Sequence, residues 1–183
     1  MDECTAVEAS RAGDRIAFDF LIDRYYRSVY RLAYQYTGDH HCADDVCQET
    51  FLRAFDGMKN LRDAQRFRGW VFMIASNLLR KRAKDSESRK RFATEINASS
   101  PASSTEGDDG QPFKLVAGKE RAMIIQRHVL EMPEHMRLVT ILIFMEGLSQ
   151  KDAAGILNCS ESSVSRHLEA ARNWLRAKLQ HLL

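Results

Sequence analysis

The sequence predicts an all-α protein with an N-terminal bundle of three or four helices, a flexible acidic linker and a C-terminal helical domain. Apolar residues recur three and four positions apart in both halves, which is the spacing of one face of an α-helix. No segment shows the sustained period of two that a half-buried strand requires. Residues 97–112 contain no Lys, Arg or large apolar residue, so burial cannot offset their ordering entropy. The predicted divisions are residues 1–92, a linker at 93–117, and residues 118–183.

Three apolar stripes predict the helices of the first half. The first covers residues 18–36, and Gly38 suits its end because glycine tolerates the left-handed conformation of a helix cap. The second covers residues 43–58. The third covers residues 67–78, and its helix continues into a basic run.

Helical patterns also fill the second half. Apolar spacing at residues 122–130 predicts one helix, and Pro133 suits the first turn of the next. The apolar stripe of that next helix lies at 138–143, and Gly147 ends it.

The last two helices form a helix-turn-helix in this prediction. Ser149, with Asp152 in the capping-box position, starts the first helix, and Ser160 caps the second. Ala153 and Ala154 are small enough to let the two helices approach closely. Hydroxyls and Arg near the start of the second helix can contact base edges and phosphates, which favours DNA binding over an ordinary helical hairpin. The candidate DNA-contacting residues are Glu161, Ser162, Ser163, Ser165, Arg166, Glu169 and Arg172.

A basic face lies on the extension of the third helix, opposite its apolar stripe. It carries Asn77, Arg80, Lys81 and Lys84. Cations beside an amide suit a nucleic-acid backbone and exposed bases. The alternative is a solvated helix end, where the helix dipole favours cations.

An acidic strip lies on the second helix, opposite that helix's apolar stripe. Asp45, Gln48, Glu49 and Leu52 share one face because they are spaced i, i+3, i+4 and i+7. By itself such a strip is explained as a solvated face. A protein-docking surface is the alternative, because Leu52 is apolar.

Composition excludes several classes of protein. Lys plus Arg is 27 and Asp plus Glu is 25, so the net charge of +2 is not that of a polybasic protein. The longest apolar run, residues 139–145, is far shorter than the roughly 20 residues of a membrane span, so we expect no stable membrane insertion. Residues 1–4 lack the apolar core of a signal peptide. We therefore expect a cytoplasmic protein with reduced cysteines.

No motif in the sequence indicates catalysis. A phosphate-binding glycine loop, a nucleophile elbow and a paired metal-binding His motif are all missing, so we expect no enzyme, cofactor or metal. His40, His41 and Cys42 lie near Cys47, but their spacing matches no zinc pattern. We expect Cys47 to be a core thiol, and Cys159 to be a small buried residue in the helix-turn-helix turn.

Four stretches together resemble one known family. They are Phe-x-x-Leu-x-x-x-Tyr at 18–25, Ala-Asp-Asp-Val-Cys-Gln-Glu-Thr-Phe at 43–51, Phe-Arg-Gly-Trp-Val-Phe-x-Ile-Ala-x-Asn at 67–77, and the helix-turn-helix at 147–172. Their order resembles the bacterial sigma-70 family of RNA polymerase sigma factors, in its two-domain extracytoplasmic-function subgroup.

The resemblance implies a role for each surface. The acidic strip is expected to dock on core RNA polymerase, and the linker to thread the polymerase's nucleic-acid channel. The loop at 59–64 and the basic face are expected to open and read the −10 promoter element, and the helix-turn-helix to read the −35 element. Initiation at promoters of a stress- or signal-responsive regulon and an anti-sigma partner are also implied. The loop residues expected at the −10 element are Lys59, Asn60 and Arg62.

Two positions depart from the family pattern. Glu169 stands where a hydroxyl is frequent, and Ser76 replaces a frequent Arg. The alternatives to a sigma factor are a stand-alone helix-turn-helix regulator and a helical adaptor with no DNA role. A requirement for core polymerase in specific DNA binding separates the sigma factor from the regulator.

Overall fold

The computed structural model describes the backbone of residues 1–96 and 116–180, with side chains over residues 1–88 and 123–180. The apolar-poor stretch at 97–112, on which the linker prediction rests, lies outside the described residues. Those described form eight α-helices and no strand, which confirms the all-α prediction. The helices are α1 (Glu3–Arg11), α2 (Arg15–Thr37), α3 (His40–Gly57), α4 (Phe67–Ile96), α5 (Val116–Glu131), α6 (Glu134–Thr140), α7 (Gln150–Leu157) and α8 (Glu161–Leu179).

The N-terminal bundle consists of α1 to α4, and α1 was not predicted from the sequence. The Asp2 side chain caps α1 by accepting from the Thr5 amide, and Ala6 and Val7 are fully buried against the bundle. A nine-residue helix has too few apolar positions to show a stripe. Packing against α2 therefore defines α1 more than its own pattern does.

The end of α2 agrees with the prediction. Gly38 takes the left-handed conformation with φ of 70°, and its amide donates to the Tyr34 carbonyl. A Cβ at this position would lie 2.7 Å from a methyl carbon of Leu130 on α5. The backbone conformation therefore favours glycine, and any larger residue would also displace the Leu130 methyl group.

The C-terminal half contains one irregular segment that the sequence pattern did not predict. Helix α6 gives way at Ile141–Met145 to a π-helical turn, and Gly147 then ends the run with φ of 65°. Pro133 lies at the N-cap of α6, one position before the predicted one.

The helix-turn-helix forms as predicted. The Ser149 hydroxyl accepts from the Asp152 amide at 3.0 Å, which caps α7, and the Ser149 hydroxyl donates to the Asp152 carboxylate. Asn158 takes the left-handed conformation with φ of 52°, and Ser160 caps α8. The prediction that Cys159 is buried is wrong, because Ile156 and Leu157 fill the core at this turn and leave Cys159 exposed.

The two halves pack against each other. Helix α2 contacts α5 and the π-helical turn, and α4 contacts α7. Residues of both halves, such as Leu32 and Leu142, belong to one connected cluster of buried side chains. The α4–α7 contact positions the helix-turn-helix beside the basic face.

Candidate functional site

The acidic strip on α3 borders an apolar groove. Asp45, Gln48 and Leu52 are exposed, Glu49 is partly buried, and Leu52 is 60% exposed. The groove lies between α2 and α3 and has a volume of about 630 Å³. Its apolar lining consists of Phe18, Ile22, Tyr26, Phe51, Leu52 and Phe55.

Three of the six apolar residues that line this groove were not predicted to form part of an exposed surface. Ile22 and Tyr26 come from α2, and Phe55 was assigned to the buried stripe of α3, yet Tyr26 is 40% and Phe55 36% exposed. The apolar spacing of α2 gave no sign that its flank meets the flank of α3. An exposed apolar patch with a polar rim is typical of an interaction surface.

Ion pairs connect the acidic strip to the basic helix. Arg82 of α4 approaches Asp45 at 3.4 Å and Glu49 at 3.3 Å, and Arg53 also donates to Glu49. Burial alone would raise the pKa of Glu49, but the hydrogen bonds from Arg82 and Arg53 outweigh it and lower the pKa. Glu49 therefore remains ionised at neutral pH. Arg82 was not among the predicted site residues, because its partners are more than 30 positions away in the sequence.

The loop candidates for DNA binding lie between α3 and α4. Lys59, Asn60 and Arg62 are all exposed, while Leu61 is buried and anchors the loop to the bundle. Their exposure leaves two cations and an amide on the surface beside the start of α4.

The structure brings together two of the four candidates on α4. Asn77, Lys81 and Lys84 are exposed and Arg80 is partly buried. Arg80 donates to the Asn77 side-chain oxygen at 2.6 Å and to the Leu157 carbonyl at 3.3 Å. One of the predicted DNA contacts is thus bonded to the end of α7.

The candidates on α8 form one polar face. All of them are exposed except Ser163, which is partly buried. Ser160 accepts from the Ser163 amide at 3.2 Å, and Arg166 donates to the Ser163 hydroxyl at 3.2 Å. The Arg172 guanidinium lies 5.8 Å from the Phe144 ring centre. These contacts orient both arginines from within the C-terminal half.

His40 and Cys47 of the first half are held by protein groups. His40 is hydrogen-bonded to the Tyr30 hydroxyl at 2.6 Å and its ring lies 4.2 Å from that of Tyr34. Cys47 is fully buried, as predicted, and burial raises its pKa to about 12. All four cysteines are free. Among the residues that the structure describes, no group of three or more His, Cys, Asp or Glu is arranged to hold a metal ion.

A helix must be both long and apolar to cross a lipid bilayer. Within residues 1–96 and 116–180, no helix combines the two properties.

A helical bundle with an exposed apolar groove, joined to a helix-turn-helix with a polar outer face, is typical of proteins that act in transcription. The model of sigma-70 region 2 matches residues 21–89, and that of sigma-70 region 4 matches residues 122–175. The two together cover about two thirds of the sequence. The chain therefore belongs to the sigma-70 family of RNA polymerase sigma factors, and the predicted resemblance is confirmed.

Curated relatives match along nearly the whole chain. The ECF RNA polymerase sigma factor SigW of Bacillus subtilis is 27% identical, over 96% of this chain and 96% of its own length. The RNA polymerase sigma-H factor of Pseudomonas aeruginosa is 29% identical, over 97% and 93%. The ECF RNA polymerase sigma-E factor of Escherichia coli is 28% identical, over 97% and 94%.

Two solved structures share the fold. CnrH in complex with the cytosolic domain of CnrY has a TM-score of 0.71 and 24% identity, and the match covers 98% of this chain and 97% of that chain. The sigma factor RpoE of Bartonella quintana in complex with the anti-sigma factor NepR has a TM-score of 0.70 and 19% identity, over 89% and 96%. Sigma factors are transcription initiation factors, and this chain is one of them.

Proposed function

We propose that this sigma factor docks on core RNA polymerase through the α2–α3 groove and its acidic strip, and reads the two promoter elements with α4 and α8. The observation that carries the proposal is the groove itself. The groove has a volume of about 630 Å³ and an apolar floor, and it opens on the same face as Asp45, Gln48 and Glu49. Apolar anchors supply affinity, and the charged rim selects a basic partner and speeds encounter.

The loop at 59–64 and the exposed face of α4 are the proposed −10 contacts. Lys59, Arg62 and Lys84 are positioned to neutralise phosphates, and the Asn77 amide offers both a donor and an acceptor to an unstacked base. Stable strand opening requires a surface for the displaced bases, and a loop beside a basic helix supplies one.

Helix α8 is the proposed −35 reader. Its N-terminal residues, with Ser162, Ser165 and Arg166 exposed, have the size and polarity to contact base edges in the major groove. Glu169 is suited to accept from the amino group of cytosine. Arg172, held over Phe144, is suited to a backbone phosphate.

In this proposal the chain has two weak DNA-binding surfaces, and specific promoter binding therefore depends on polymerase. The net charge of +2 supplies little affinity for DNA by itself. Docking on polymerase fixes the spacing of the two surfaces and raises the effective concentration of the second site. The chain acts in the cytoplasm and is not itself an enzyme, because the polymerase performs the chemistry.

An anti-sigma protein is the proposed inhibitory partner. The two structural neighbours were each solved with a bound partner, the cytosolic domain of CnrY in one and the anti-sigma factor NepR in the other. A regulator that fills the α2–α3 groove would compete directly with polymerase. The same apolar floor and acidic rim would then serve both partners.

The test is association with bacterial core polymerase. Wild-type chain is expected to co-elute with core enzyme and to initiate transcription from promoters in a genomic fragment library. Glu49→Lys places a cation on the strip and is expected to weaken binding by at least ~2 kcal/mol, about thirtyfold. Helicity should be unchanged, because position 49 is only partly buried.

The matched control is Glu8→Lys. Glu8 is also a helix glutamate paired with a nearby arginine, Arg11, but it lies on α1. This variant should bind polymerase like wild type. Equal binding by Glu49→Lys would refute the docking face. Tight binding of a palindromic site by the chain alone, without any affinity for polymerase, would identify a stand-alone regulator.

A further inference from the structure

One carboxylate of the C-terminal half is buried against the N-terminal half. The Glu146 side chain is 1% exposed, and both of its oxygens accept from Arg31 of α2, at 2.6 and 2.8 Å. Residues 31 and 146 come from the two different domains of the sigma factor. Glu146 directly follows the π-helical turn, and Gly147 with its left-handed backbone comes next.

Three further arginine hydrogen bonds cross between the two halves. Arg68 donates to the Glu146 carbonyl at 2.9 Å, and Arg80 donates to the Leu157 carbonyl at 3.3 Å. In the opposite direction, Arg137 of the C-terminal half donates to the carbonyl of Tyr36 at 3.1 Å. The interface is thus held by directed, polar contacts of arginine as well as by apolar packing.

The ion pair ties the charge of Glu146 to the closed arrangement. Glu146 is buried while Arg31 is half exposed, and a buried carboxylate that loses its partner is left without compensation for its charge. When the halves separate, Glu146 and Arg31 both return to water. Apolar side chains such as Leu32 and Leu142 also pack in one cluster across the two halves, so opening must separate them as well.

The closed arrangement conflicts with simultaneous reading of two promoter elements. The −10 and −35 elements are separated by about 25 base pairs, which is roughly 85 Å along a straight duplex. In the structure α4 and α7 are in direct contact, and Arg80 is bonded to the end of α7. DNA binding by both halves therefore requires their separation.

We propose that Arg31 and Glu146 form a latch that holds the sigma factor in a closed form, and that the latch must break before both promoter elements can be bound. The existence of the latch rests on the contacts alone. Its role in promoter binding rests on the function proposed above.

Small-angle X-ray scattering of the full chain in solution tests the latch. Arg31→Gln and Glu146→Gln each remove one charge with little change in shape. Each is expected to shift the closed-to-open ratio at least about tenfold toward the open form, and to raise the radius of gyration. The double variant should shift it no further than the single variants do, because both remove the same pair.

Glu131→Gln is the matched control. Glu131 is also a glutamate of the C-terminal half, but its partners Lys178 and His128 belong to the same half. Its radius of gyration should equal that of wild type. Circular dichroism of Glu146→Gln checks that the buried substitution leaves the fold intact. The Arg31 side chain is 51% exposed, so Arg31→Gln decides the question if Glu146→Gln does not fold.

The two proposals fail in different ways. An unchanged radius of gyration in folded Arg31→Gln would overturn the latch, whatever the chain does with polymerase. Opening without any binding of polymerase or promoter DNA, in wild type or variant, would support the latch and overturn the proposed function. In a chain that does bind, open variants should require less polymerase for half-maximal promoter binding than wild type does.

Discussion

The region 2 half and the region 4 half present their candidate surfaces in different states. In the first half, Glu49 is paired with Arg82 and Arg53, and Arg80 is bonded to the Leu157 carbonyl. In the second half, the contacts described for the face of α8 stay within that half. Binding by the first half therefore exchanges internal partners for external ones. Binding by the second half uses a surface that is already arranged.

The buried side chains that the two halves contribute also differ in chemical type. Aromatic contacts run through the first, where the Tyr25 and Phe67 ring centres lie 5.5 Å apart and Phe67 packs on Trp70. The second is built from aliphatic residues such as Ile141 and Leu142. The larger aromatic core supports the helices that hold the groove, whereas the smaller core orients one short pair of helices.

The largest effect is expected from Phe67→Ala, because it removes a fully buried ring from the first core. We expect a loss of about 3–5 kcal/mol in the free energy of unfolding. The chain has two tryptophans, Trp70 and Trp174, one in each half. Urea unfolding followed by Trp70 fluorescence, in a Trp174→Phe background, measures the loss.

Phe144→Ala is the control, since Phe144 is 51% exposed and should cost far less. Following Trp174 in a Trp70→Phe background shows whether the second half loses stability together with the first. A small effect of Phe67→Ala on both signals would contradict the account of the first core.

A smaller effect is expected from Arg166→Ala on promoter binding. If Arg166 contacts a base, its loss should weaken recognition of the upstream element by about 1–3 kcal/mol. Holoenzyme binding to the selected promoter and to variants of its upstream element measures this. An equal loss on every sequence would make Arg166 a phosphate contact. Arg176→Ala, near the end of the same helix, controls for charge alone.

The N-terminal cap of α8 offers a still smaller effect. Ser160→Ala removes the acceptor for the Ser163 amide and should cost about 1 kcal/mol in the stability of the second half. Ser165→Ala, an exposed change inside the same helix, should cost only a few tenths of a kcal/mol. Equal costs for the two variants, measured by urea unfolding with Trp174, would show that the cap does not stabilise α8.

The last expected effect is the alkaline sensitivity of the first half, which is absent at neutral pH. Burial raises the pKa of Cys47 from 9.0 to about 12, so the folded state binds this proton more tightly than the unfolded state. The resulting stability is fully present below pH 9 and is lost as the pH rises toward 12. Burial raises the pKa of Tyr25 in the same direction, from 10.0 to about 12.

Two measurements test the burial of Cys47: its reactivity with a thiol reagent, and the pH dependence of unfolding. At pH 8, exposed Cys4 and Cys159 should react with a thiol reagent, whereas Cys47 should react only on unfolding. In Cys47→Ala, part of the stability loss between pH 9 and 12 should disappear. Rapid modification of Cys47 in the native protein would rule out the burial argument.

Most of the helices and their boundaries could be predicted from the sequence, because they depend on neighbours within one or two turns. The apolar stripe of α2, the left-handed Gly38 and the cap at Ser160 are local features, and all three are confirmed. Local pattern failed at α1, which is too short to show a stripe, and at Cys159, whose exposure depends on which neighbours fill the core.

The helical class, the helix-turn-helix and the residue types of each candidate surface follow from the order of the amino acids. The coupling between those surfaces depends on how the helices pack. The pairing of Arg82 with Glu49 joins residues 33 positions apart, and that of Arg31 with Glu146 joins residues 115 positions apart. The spacing of residues along the sequence cannot predict such pairs, because the partners meet only after the helices have packed.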